Sequence, residues 1–382
     1  MQQYIDEAVS HYRDLLTRQL ARAEALEQES PAVDFAGVDQ VIIGACPGDG
    51  IGPIIFREAL RVLKKLLADE LAAGKVVIRE IDGLTLEERL RCGKAIPDPV
   101  LEALRACHVI LKGPTTTPGA GSGPSLESAN VAMRRELDLF ANMRPITVPK
   151  LGIDWAFFRE NTEGEYVLGS QGIEVPGRLT MDFKVTTVAG TRRIAKAAFD
   201  YARANGKTRV AIVTKANIMK KTDGMFSAVC HQVARDYPGI QADEWYVDIM
   251  SANLINEAVR DQFQVFVLPN LYGDIITDEA AQLQGGVGTA GSANIGSRCA
   301  MFEAIHGSAP RMMEEGLGEY ANPASILKAG EMLLRHIGRA AAADRLAAAM
   351  ADLDREGRVV VTGNRDGATC RDYAEGLLAK LG

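Results

Sequence analysis

Val41-Ile-Ile-Gly-Ala-Cys-Pro-Gly-Asp-Gly-Ile-Gly-Pro-Ile-Ile-Phe-Arg-Glu-Ala-Leu-Arg-Val-Leu-Lys-Lys-Leu-Leu67 divides into an apolar run, a glycine-rich turn and an amphipathic run. Residues 41–46 read as a strand buried on both faces, because apolar and small residues follow one another without alternation. Residues 54–67 carry apolar side chains at helical spacing. Outward from this unit the same order recurs, with strands at 76–81, 109–112, 209–214, 245–248 and 265–269 and helices over 98–107, 221–237 and 251–260. Such a chain is α/β, with a largely parallel sheet wherever helices make the crossovers. Between 164 and 188 Gly and Pro punctuate the stretch EVPGRLTMDFKVTTV, no long helix fits, and the segment reads as a β excursion.

The 382 residues are 47% apolar and 24% charged, an ordinary globular composition that is long enough for two or three folded units. Lys and Arg total 43 against 50 Asp and Glu, and the net charge of −7 has the wrong sign for a protein that grips nucleic acid through phosphates. Cys46, Cys92, Cys107, Cys230, Cys299 and Cys370 lack the short spacings of zinc or redox pairs and read as reduced thiols. No leader-like or membrane-spanning apolar run is present, so a cytoplasmic location with no membrane partner is expected. Residues 4–29 carry Ile5, Val9, Tyr12, Leu15, Leu16, Leu20 and Leu26 near helical spacing. They read as an amphipathic helix ending near Ser30-Pro31, and residues 1–39 as an extension packed on its own subunit.

Three segments bear on chemistry. The turn Gly48-Asp-Gly-Ile-Gly52 sits where a phosphate-binding loop would, but its spacing is neither that of a dinucleotide fingerprint nor that of a Walker loop. A tight structural turn is the stronger reading. Asp274 and Asp278 lie one helical turn apart after a strand, on one face if a helix starts near Gly273. Hard oxygen donors so placed suit Mg²⁺ or Mn²⁺, while compensation of the helix dipole is the competing reading. Ser128, Asn130 and Arg134 fall within two turns, with Arg144 beyond, a set able to hold a polycarboxylate or simply to cap and solvate a helix.

Taken together, PGDGIGP (47–53), ANVAMRRELDLFANMRP (129–145), FRENTEGEY (158–166), TKANIMKKTDG (214–224), NLYGDIITDEAAQLQGG (270–286), SANIG (292–296) and FEAIHGSAP (302–310) resemble the β-decarboxylating dehydrogenases of isocitrate, 3-isopropylmalate, homoisocitrate and tartrate. The words occur in family order from residue 41 onward. The resemblance implies a two-domain fold of isocitrate/isopropylmalate dehydrogenase type with interleaved domains. The large, cofactor-side domain is 40–139 with 286–382, the small domain 140–285, and a β clasp at 164–187 joins two subunits in a homodimer.

It also implies roles. Ser128, Asn130, Arg134, Arg144 and Arg159 bind substrate carboxylates, Tyr166 and Lys215 form the acid/base pair, and Asp248, Asp274 and Asp278 ligate the divalent metal. Lys215 and Asp248 would reach across from the neighbouring subunit. Thr117, His306, Gly307, Arg311 and Asn322 are implied on the cofactor side. The reaction implied is oxidation of a 2-hydroxy acid with hydride leaving for nicotinamide, loss of CO₂, and return of a proton to carbon. The polar pair Ser128 and Asn130 suits a γ-carboxylate better than an isopropyl group, which makes isocitrate the first expectation. Homoisocitrate, 3-isopropylmalate or tartrate with NAD is the alternative. Arg311 stands where NAD-using relatives carry an Asp and would attract a 2′-phosphate, so NADP is expected over NAD. A non-catalytic regulatory subunit is the alternative of another class, and it would be expected to lose residues that this chain retains.

Overall fold

The structure, a computed structural model, describes residues 2–28, 31–117, 126–169, 171–286 and 290–382. It divides into two compact units, Met1–Pro31 with Phe140–Ala280, and Ala32–Leu139 with Ala281–Gly382. In chain order the strands are β1 (Val41–Cys46), β2 (Val76–Glu80), β3 (Val109–Lys112), β4 (Ala141–Val148), β5 (Ile153–Glu160), β6 (Ile173–Val175), β7 (Leu179–Met181), β8 (Arg209–Thr214), β9 (Gln241–Tyr246), β10 (Val265–Leu268), β11 (Gly291–Ile295) and β12 (Ala300–Ala304).

In the unit containing β1, the strand order is β2-β1-β3-β12-β11, parallel except for the antiparallel pair β11 and β12. Val41, Ile43, Ile110 and Leu111 are buried, as is the face of the helix Gly52–Leu66 that carries Ile55, Phe56, Ala59 and Val62. Each such large side chain contributes about 1.5–3 kcal/mol of transfer free energy. The glycine-rich turn is packed into this unit. Gly48 and Gly50 adopt φ of +78° and +59°, and a Cβ on Gly50 would lie 2.1 Å from the Ser308 carbonyl oxygen. Asp49 accepts from the backbone N–H of Leu86 and Thr116 at 2.8 Å each, so its carboxylate is spent on the fold.

In the other unit the order is β4-β5-β10-β8-β9, with β4 and β5 antiparallel and the rest parallel. Its core is aromatic: Phe157 and Phe266 stack at 4.2 Å, and Trp155 meets both rings edge-on. The β excursion is the hairpin β6–β7, and just outside it Gly164 and Val185 form an isolated antiparallel bridge.

Two shifted helix boundaries bear on the candidate metal ligands. The helix expected over 251–260 lies at Val247–Leu254, because the Asn256 side chain accepts from the Ala258 N–H and sets a turn there. Asp248 therefore sits in the first turn of a helix rather than at a strand end. The helix expected to start near Gly273 begins at Asn270, so Asp274 and Asp278 share a face beyond its first turn.

The N-terminal helix, Gln2–Leu26, docks by its more polar face. His11 Nε2 meets the Gln171 carbonyl at 2.9 Å, Arg18 donates to the Gln171 side chain at 2.7 Å, and Leu15 is buried between them. Ile5, Val9, Tyr12, Leu16 and Leu20 lie on a different face and stay exposed. Beside the hairpin that face borders an apolar groove of about 630 Å³ lined by Ile5, Val9, Tyr12, Val175, Leu179 and Phe183. Among the described residues no helix is long and apolar enough to cross a membrane.

Candidate active site

The end of β5 and the start of the helix Asn270–Leu283 bring together Arg144, Arg159, Asp274 and Asp278, half of the residues expected to bind substrate or metal. Arg159, the penultimate residue of β5, donates through Nε to Asn270 Oδ1 at 2.8 Å and through Nη1 to Asp274. Its path across the helix depends on Gly273, where a Cβ would lie 2.6 Å from Arg159 Cβ and Cγ. Arg144 on β4 donates to Asn142 at 2.9 Å, to Thr277 at 2.6 Å and to Asp278 at 2.9 Å, and its Nη2 is 3.6 Å from Asp274. Tyr166 donates its phenol to Asp274 Oδ2 at 2.8 Å, and the Arg159 guanidinium lies 5.2 Å from its ring centroid. The arginines are nearly sealed, with side chains 7% and 1% exposed, whereas Asp274 and Asp278 are 39% and 56% exposed. Two cations thus stand behind two carboxylates that face outward.

Lys215 follows β8, and its backbone N–H is held by the buried carboxylate of Asp223 at 2.7 Å. Its ammonium donates to Asp248 at 2.5 Å, and this hydrogen bond holds the Asp248 carboxyl below its ordinary value. Among the described residues no group of three His, Cys, Asp or Glu side chains is gathered to hold a metal. Asp274 and Asp278 fit a hard divalent cation as open oxygen donors one turn apart, and the third expected ligand, Asp248, is engaged by Lys215 within this chain.

The other unit carries the remaining expected binders. Ser128 is the N-cap of the helix Ala129–Glu136 but makes no capping bond with its hydroxyl. Asn130 Oδ1 accepts from Thr115 at 3.0 Å. Arg134 reaches Glu303 at 3.3 Å, while its Nε is buried with no hydrogen-bond partner among the described residues. Glu303 is the residue that motif reading missed. It sits with Lys112 at 3.0 Å and accepts from Asn294 at 2.8 Å. Burial alone would raise its carboxyl, but Lys112 and then Arg134 outweigh this and hold it down to about 2. The signal available was a charged residue closing or interrupting an apolar strand run, as Lys112 does in VILK and Glu303 in AMFEA.

On the same unit, Thr116 and Ser308 hydroxyls meet at 2.7 Å and Ile305 N–H donates to Ser325 at 3.2 Å, which draws the segments around Thr117, His306 and Asn322 together. Asn322 Oδ1 accepts from the Ala324 N–H at 2.9 Å, at the start of the following helix. Burial lowers the His306 imidazole below its ordinary value, which keeps it neutral at pH 7. Among the described residues no atom beyond its chain neighbours lies within 4 Å of where a Cβ on Gly307 would stand, and Ala309 is held in the left-handed region at φ +47°. This open backbone beside a neutral imidazole fits a nucleotide. Arg311 is exposed and pairs with Glu315 at 2.7 Å, one turn on. Of the glycine-rich loop before Ser128, residues 118–125 lie outside the described residues.

A model of the isocitrate/isopropylmalate dehydrogenase family matches residues 42–375. The chain is 36% identical over 360 residues to the probable isocitrate dehydrogenase (NAD) subunit alpha, mitochondrial, of Caenorhabditis elegans, which covers 92% of this chain and 95% of that protein. It is also 36% identical to the isocitrate dehydrogenase (NADP) of Thermus thermophilus, over 89% of this chain and 68% of that protein. Among solved structures, the isocitrate dehydrogenase from Methylococcus capsulatus superposes with a TM-score of 0.78 at 34% identity, over 90% of this chain and 99% of that one. With sequence words, fold and relatives in agreement, the chain belongs to the isocitrate/isopropylmalate dehydrogenase family.

Proposed function

We propose that this chain catalyses oxidative decarboxylation of isocitrate to 2-oxoglutarate and CO₂ with hydride transfer to NADP, using Mg²⁺ or Mn²⁺. The observation that carries the reading is the node at Asp274, where two sealed guanidinium groups, a phenol and two open carboxylates converge. Arg144 and Arg159 present forks that match carboxylates bidentately. In the other unit Ser128 and Asn130 supply neutral polar contacts, and the unused Nε of Arg134 offers one more donor to a carboxylate. Such a polar set would leave an isopropyl group badly matched, which favours isocitrate over 3-isopropylmalate. A divalent cation at Asp274, Asp278 and Asp248 would lower the pKa of the substrate alcohol and stabilise charge on its oxygen. Lys215 takes the alcohol proton, and Tyr166 returns a proton to carbon after CO₂ leaves.

The working form in this reading is a homodimer in which Lys215 and Asp248 serve the neighbouring copy. It is supported by the Lys215–Asp248 pair, which keeps Asp248 from completing the ligand set of its own chain. Mixing inactive Tyr166→Phe and Lys215→Met subunits should then restore turnover.

NADP is favoured because Arg311 is a cation that cannot accept a ribose hydroxyl bond. Its one-turn pair with Glu315 is solvent-exposed and screened by water, which leaves it available. That same pair favours the second reading, in which Arg311 is neutralised and NAD is used. Initial rates of NAD(P)H formation with isocitrate, run against 3-isopropylmalate, homoisocitrate and tartrate, decide the substrate. NADP faster than NAD, with the preference lost in Arg311→Asp, supports the first cofactor reading, and NAD faster than NADP overturns it.

A further inference from the structure

The N-terminal helix precedes the segment shared with the family, yet one of its side chains ends at the turn between Arg159 and Tyr166. We infer that Arg22 is a positioning residue for this turn, so that the N-terminal helix is a working part of the site. The inference rests on the roles proposed above for Arg159 and Tyr166.

Arg22 Nη1 lies 3.1 Å from Glu163 Oε1, and Nη2 donates to the Thr162 carbonyl and hydroxyl oxygens at 3.3 Å each. Glu163 is buried, and its carboxylate also accepts from the Thr187 N–H at 2.8 Å and the Thr187 hydroxyl at 2.5 Å. The turn folds over a second buried carboxylate, Glu160, which accepts from the N–H groups of Thr162 and Glu163. Two adjacent buried acids repel, and cations at the turn offset the repulsion. Those facing it are Arg22 and Arg193, the latter donating to the Thr162 hydroxyl at 3.0 Å.

The grip passes directly to the candidate catalytic groups. The Glu163 carbonyl accepts from Asn270 Nδ2 at 3.0 Å, and Asn270 Oδ1 in turn accepts from Arg159. Gly164, next in the chain, takes φ +75° against the Asn270 Cβ and is bonded to Val185, two residues before Tyr166. A shift at Thr162 and Glu163 would therefore displace both Arg159 and Tyr166. Elsewhere Arg18 and His11 bond the helix to Gln171, away from the turn.

The test compares full-length Arg22→Met, Arg22→Lys and Arg18→Ala with the wild type. Arg22→Met should lower kcat/KM for isocitrate about tenfold to a hundredfold, the scale of a small misplacement of catalytic groups. Arg22→Lys should recover part of the loss, and Arg18→Ala should stay within about twofold. Independently of turnover, hydrogen exchange at the Thr162 and Glu163 amides should speed up in Arg22→Met and not in Arg18→Ala. Wild-type rates and exchange in Arg22→Met overturn the inference, as do equal losses in Arg18→Ala. If the wild type turns over none of the hydroxy acids, the isocitrate reading fails, and amide exchange alone decides the role of Arg22.

Discussion

Each unit holds a cluster of opposite charges, and the two clusters differ in which partner is sealed. Around Glu303 everything is shut in: Lys112 is 0% exposed, the acid 6% and Arg134 11%. Around Asp274 and Asp278 only the cations are shut in, and the acids face outward. A closed cluster spends most of its charge on itself, with the Arg134 Nε left over among the described residues, because each buried ion is costly unless its partner stays within contact. An open one keeps carboxylates that can accept another ligand at little cost in desolvation.

The largest effect that could break this contrast is on stability. Glu303→Gln leaves Lys112 and Arg134 without their acid and should cost about 3–5 kcal/mol by denaturant unfolding. Replacing Lys112 by Met in the same variant should recover much of that loss. Asp278→Asn, in the open cluster, should change unfolding free energy by less than about 0.5 kcal/mol. It should nonetheless lower turnover about a hundredfold and raise the Mn²⁺ concentration needed for half-maximal rate. Comparable stability losses in the two variants would show that the clusters do the same job.

A smaller effect sharpens the comparison by pH. Glu160, unlike Glu303, is pushed up to about 7, by burial first and then by Glu163, with N–H and O–H donors holding it partly back. A carboxyl raised in the folded state binds protons there that the unfolded chain has released, so its contribution to stability falls as pH rises from about 4.5 to about 7. Unfolding free energy should therefore drop by on the order of 1–3 kcal/mol across that window. Glu160→Gln should flatten the slope whatever its absolute stability. Glu303, held at about 2, gives the opposite sign, stabilising above its unfolded value and losing that stability only in strong acid.

Much of the fold is legible in local sequence. Val41–Cys46, Val109–Lys112 and Arg209–Thr214 match the expected strands because parallel strands buried on both faces leave unbroken apolar runs with sharp ends. The turn at Gly48–Gly52 is legible as structural, since positive φ and close backbone contact are what its glycines permit. Asp248 was harder: Tyr-Val-Asp-Ile-Met extends a strand or opens a helix with equal ease, and the Asn256 turn decides. Motif words single out Arg134, Arg144 and Arg159, but not their partners. Glu303 lies 169 residues from Arg134 and Asp274 lies 115 from Arg159, separations across which no periodicity speaks. Arg22 carried no signal at all, because a lone arginine on a charged helix reads as solvated.

Gly273 bears on how this protein could be engineered. Exchanging a mid-helix glycine for alanine ordinarily gains about 0.5–1 kcal/mol, and a routine thermostabilisation library would include the change. Here the added methyl would land on the stem of Arg159 and push its guanidinium off Asp274. A library ranked by melting temperature alone should omit this position, since the weak point in the helix is the channel through which a charge reaches its work.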